Sequence, residues 1–87
     1  MTGVKTTIRI ETHDRWDALD LTRHLPAREW YLVAYAPQRW DVFVRTEHRR
    51  RRLNELLDAA QAWASRRNTE TVVHLPDRDV VLRPAPE

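Results

Sequence analysis

The chain contains no cysteine, a single glycine, a single lysine and no apolar run of membrane-spanning length. Without cysteine there is no disulfide, no thiolate metal ligand and no thiol nucleophile, and the redox compartment is left open. Gly3, close to the N-terminus, is the only glycine, so no glycine-rich loop can cradle a phosphate. The apolar stretches fall well short of the ~20 residues that cross a bilayer, and the opening MTGVKTTIR has no signal-peptide core. The expectation is a soluble, cytoplasmic protein with no membrane partner. Because Lys5 is the only lysine, all the other lysine-plus-arginine positions are arginine. A GC-rich coding sequence produces that usage, and it lowers the significance of any one arginine cluster.

What is present describes a small folded domain. The 87 residues are 41% hydrophobic and include Trp16, Trp30, Trp40 and Trp63. A chain of this length sits near the size where one core becomes marginal. Large rings, each burying on the order of 150–250 Å², can supply that core. The net charge of +2 is too small to imply a polyanionic partner.

Hydrophobic periodicity divides the chain into elements. Residues 6–11, TTIRIE, alternate as a half-buried strand does. Asp14 then stands as an N-cap, and Trp16, Leu19, Arg23 and Leu25 suggest a short helix over 14–25 with Trp16 as its anchor. EWYLVAYA (29–36) and RWDVFVR (39–45), separated by Pro37-Gln38, read as a β-hairpin. From Arg49 the period becomes helical, with Leu53, Leu56, Leu57, Ala60, Trp63 and Ala64 on one stripe. Thr71–Leu75 and Val80–Arg83 complete the pattern as strands around the turn Pro76–Asp79. The order β-α-β-β-α-β plus a short C-terminal strand predicts a ferredoxin-like split βαβ domain of the α+β class. Such a domain has an antiparallel sheet with two helices on one face. The expected layout is a flexible N-terminus over 1–5, a single domain over 6–83 and a frayed tail over 84–87.

Strand alternation sorts the side chains. Ile8, Ile10, Leu32, Ala34, Trp40, Val42 and Val44 face the helices. The open face receives Tyr31, Val33, Tyr35 and Phe43 beside Arg9 and Arg45, with Arg39, Asp41 and Glu11. An apolar patch rimmed by charge is seldom left bare. Tyr31, Val33, Tyr35, Phe43, Arg9 and Arg45 therefore form the candidate interaction face, and self-association is the first reading of it.

Arg49, Arg50, Arg51 and Arg52 are the second candidate, a contact for an anion or an acidic protein partner. A helical projection puts Arg49 on the leucine stripe, Arg50 and Arg52 beside it and Arg51 in solvent, so the four do not share one face. Cations at a helix N-terminus also oppose its dipole. Nucleic acid is the alternative partner, with aromatics stacking bases and arginines meeting phosphates. The same scaffold serves RNA-recognition motifs, but TIRIE has no aromatic residue and RWDVFVRT has Phe43 without the glycine of their signature.

Catalytic chemistry finds little here. His13, His24, His48 and His74 lack metal-ligand spacing; His13 and His48 read as exposed loop or helix-start residues, with an approach at one end of the sheet as the alternative. Ser65, the only serine, has no histidine at helical spacing. No catalytic residue, cofactor or metal ligand is predicted. The reading is a non-catalytic interaction or regulatory module, homodimeric through its open sheet face. Nucleic-acid binding is the alternative, and a small enzyme or ligand sensor using His74 or a tyrosine in the dimer cleft is the weaker one.

Overall fold

The computed structural model describes residues 4–85. Expectations for residues 1–3 and 86–87 lie outside these described residues. The order is β1 (Lys5–Thr12), α1 (Arg15–His24), β2 (Glu29–Ala36), β3 (Arg39–Glu47), α2 (Arg50–Arg67), β4 (Thr71–His74) and β5 (Asp79–Leu82). The fold is α+β, with one five-stranded sheet in the order β2-β3-β1-β4-β5. Every pairing in it is antiparallel. No helix among the described residues is long and apolar enough to cross a membrane.

The helix-facing side of the sheet follows the period-two alternation. Ile8, Ile10, Val42, Val44 and Val73 are buried there, and they share one cluster with Ala18, Leu21, Leu56, Ala60, Trp63 and Ala64 from the helices. Trp63 is the largest side chain in that core, and its Nε1–H donates to Asp20 Oδ2 at 2.9 Å. This bond satisfies the one polar group of the indole and ties α2 to α1. A second tie joins Arg67 at the end of α2 to Asp17 at the start of α1.

Several boundaries and one helix phase differ from the sequence reading. β1 begins at Lys5, which pairs in register with Glu47 rather than joining a flexible N-terminus. At the other end, Ala85 N–H donates to Ser65 Oγ and the Arg83 carbonyl accepts from Gln61, so these residues rest on α2. Asp14 does cap α1, accepting the Asp17 N–H at 2.8 Å. The buried stripe of α1, however, is Ala18, Leu21 and Thr22. Trp16 is 75% exposed and anchors nothing. The large ring misled the phase assignment, because burial follows the i, i+3, i+4 geometry of the helix and not side-chain size.

α2 keeps its expected stripe and ends at Asn68 in the left-handed conformation, φ 50°, which asparagine tolerates. It starts one residue later than the periodicity suggests. Arg49 is the N-cap residue with extended backbone, and its side chain makes no capping bond.

The corrected phase of α1 is testable by chemical denaturation. Leu21→Ala should destabilise the domain by about 2–5 kcal/mol, whereas Trp16→Ala should change stability by less than about 0.5 kcal/mol.

Candidate functional site

The face of the sheet without helices is divided into two halves by chemistry. On the β2–β3 half, Tyr31 and Phe43 are directly opposed partners in the β-ladder. Their rings stack with centroids 4.9 Å apart and planes 2° from parallel. Tyr31 is 55% exposed and Tyr35 64% exposed. Tyr35 stands at a register shift between Ala34 and Ala36, and its ring lies 5.2 Å from the Arg39 guanidinium carbon. A bulge re-aims a side chain in this way, here toward a cation on the neighbouring strand.

The half formed by β1, β4, the start of β5 and the Arg39–Asp41 end of β3 is ionic. It is organised around Asp41, which is fully buried although it lies on the face that no helix covers. Arg9 Nη1 donates to Asp41 Oδ2 and Arg39 Nε to Asp41 Oδ1, each at 3.4 Å. Arg39 Nη2 also lies 3.2 Å from Glu11 Oε1. Glu11 Oε2 is 2.5 Å from His74 Nε2, and His74 Nδ1 is 2.7 Å from Asp79 Oδ1. One chain of polar contacts therefore runs from Arg9 through Asp41, Arg39, Glu11 and His74 to Asp79. A ring with one N–H can donate to only one of the two carboxylates beside His74 at a time.

The ladder explains why these groups meet. Arg9 opposes both Phe43 and His74, His74 opposes Asp79, and Glu11 opposes Asp41. All of these positions share one parity. Strand alternation placed Arg9, Glu11, Arg39 and Asp41 on this face. The connections between them were missed, because opposing residues are known only once strand order and register are known.

The remaining candidates are distributed as follows. Tyr31, Val33, Tyr35, Phe43, Arg9 and Arg45 all share the open face. Arg9 is half-buried and committed to Asp41, so it is part of the ionic half and not a free rim cation. Arg45 is exposed and sits opposite Glu29.

The arginine run is dispersed. Arg49 pairs with Glu47 at 3.0 Å, and Arg51 and Arg52 pair with Glu55 at 3.4 and 3.2 Å. Arg49 is thus turned back toward β3 and lies off the leucine stripe. Arg50 lines a cavity of about 520 Å³ with His48, Leu53, Asn54, Leu75, Asp77 and Arg78. His13 and His48 do not approach each other: β1 and β3 are antiparallel, so the ends that carry them lie at opposite edges of the ladder. Among the described residues no group of three or more His, Asp or Glu side chains is arranged to hold a metal ion.

At the start of β2, Glu29 Oε1 accepts from Lys5 Nζ at 2.6 Å. That hydrogen bond and the lysine charge hold the Glu29 carboxyl below its ordinary range, with Arg45 adding a smaller effect. Comparisons with protein-family models, with curated proteins and with solved structures find no match to this chain.

Two outcomes test this description. The buried charge is Asp41, so removing its partners should cost more than removing the charge itself. The Arg9→Met/Arg39→Met double variant should lose about 3–5 kcal/mol, and Asp41→Asn about 1–3 kcal/mol, measured by urea denaturation. For Glu29 the depressed value means that its contribution is present above the ordinary carboxylate range and is lost as pH falls through the depressed one. In an NMR titration Lys5→Met should move the Glu29 midpoint upward, toward the ordinary value.

Proposed function

We propose that the chain is a small non-catalytic interaction or regulatory module that associates with a second copy of itself through the β2–β3 side of its sheet. We read the scaffold as the ferredoxin-like arrangement widened by one strand. Removing β5 from the order β2-β3-β1-β4-β5 leaves the four strands of a β-α-β-β-α-β unit, and β5 extends the edge beside β4.

The observation that carries this reading is the stacked Tyr31–Phe43 pair, with Tyr35 beside it, on a face that no helix covers. Aromatic surface of this kind supplies the anchors of protein interfaces. The ionic half supports the same assignment by contrast. Its arginines and carboxylates already contact one another or His74 inside the chain.

The anion readings have less support. Arg49, Arg51 and Arg52 each have a carboxylate within salt-bridge distance, and Arg9 is held by Asp41. A phosphate backbone would have to compete with those pairs. A catalytic role for His74 has less support for a similar reason, since both ring nitrogens face carboxylates.

Sedimentation equilibrium tests the proposal. A reversible dimer is expected at about 100 µM, with Tyr31→Ala and Tyr35→Ala each weakening it about tenfold or more. A strict monomer at that concentration, in both low and high salt, would falsify it.

A further inference from the structure

We infer that two copies join edge to edge, β2 against β2, in an antiparallel pairing centred on Leu32 that merges two five-stranded sheets into one. This rests on the self-association reading above and specifies its geometry.

The two edges of the sheet are finished differently. β5 is four residues long, begins with the charged Asp79 and is followed by Arg83 and Pro84. Short length, charge and proline are the usual protections of an edge strand. β2 has eight residues, and its only charge is Glu29 at the first position. That charge is already paired with Lys5. The register shift beyond Ala34 closes the other end. Between the two lies Trp30–Ala34, WYLVA, an edge segment with no charge, proline or bulge. Its midpoint is Leu32.

An antiparallel pairing of a strand with itself is self-complementary by symmetry, and opposed residues point to the same face. Centred on Leu32, it sets Tyr31 against the second copy's Val33 on the open face. On the helix side it sets Trp30 against the second copy's Ala34. Each pair matches a large side chain with a small one, and Trp30 and Tyr31 are both among the exposed large hydrophobic residues.

The alternative, stacking two open faces, would bury Arg9, Glu11, His74 and Asp79 along with the aromatics. Desolvating charges costs several kcal/mol per ion. Edge pairing leaves the ionic half in water and satisfies the free N–H and C=O groups of β2.

The chain has no cysteine, so Leu32→Cys introduces a unique thiol. At the two-fold axis its two copies come within the Cα separation of about 4.5–5.5 Å that a disulfide spans. The expected result is a disulfide-linked dimer on mild oxidation, with Val81→Cys on the opposite edge remaining unlinked. Ala34 is exposed, so Ala34→Lys should leave the circular dichroism spectrum unchanged while weakening the dimer about tenfold or more, as a lysine on an edge strand does. A wild-type monomer overturns the self-association and the edge pairing together. A wild-type dimer whose strength is unaffected by Ala34→Lys overturns the edge pairing alone. So does one in which folded Leu32→Cys fails to cross-link, or in which Val81→Cys cross-links as readily.

Discussion

Helices of ten and eighteen residues shield one face of five strands, and the other face meets water with no second layer. Everything characteristic of the chain answers to that asymmetry. On the shielded side the requirement is volume: Ile8, Ile10, Val42, Val44 and Val73 supply it from the sheet, and Trp63, Leu56 and Leu21 from the helices. The indole N–H is the one polar group that such a ring brings inward, and Asp20 receives it. On the unshielded side the requirement is solvation of alternate strand positions.

The chain meets that second requirement in two ways at once. Across β1, β4 and the Arg39–Asp41 end of β3 it interleaves opposite charges so closely that Arg9, Arg39, Glu11 and Asp41 each meet one of opposite sign. Asp41 is the extreme case, a carboxylate buried without a helix above it because Arg9 and Arg39 lie beside it. Across β2 and β3 it uses aromatic rings, which are poorly served by water. A surface half ionic and half aromatic has a direction, and the aromatic half faces the edge that lacks protection. Patch and edge lie together because Tyr31 and Tyr35 belong to β2 itself.

Most elements were legible from residues 6–83 because the hydrophobic period changes cleanly from two to 3.6 and back. β2 keeps the bounds expected of it, and α2 starts one residue late because Arg49 takes the capping position. The phase of α1 was not legible. Trp16 outweighs Ala18 and Thr22 in any hydrophobic count, yet small residues are what a helix needs where it lies close on a sheet. The arginine run was legible as a sequence, but its pairings were not. Its partners, Glu47 and Glu55, lie outside the run, one in the preceding strand and one a turn further along the helix.

The sequence by itself determined which strand side chains share a face, because alternation is a local property of the backbone. It determined that Arg9, Glu11, Arg39 and Asp41 stand together with Tyr31 and Phe43 outside the core. Only the tertiary structure decided which of them touch. Contact between residues as distant as Glu11 and His74, or Arg9 and Asp41, depends on strand order and register. Those are set by how the whole sheet closes against two helices, and no local pattern encodes them.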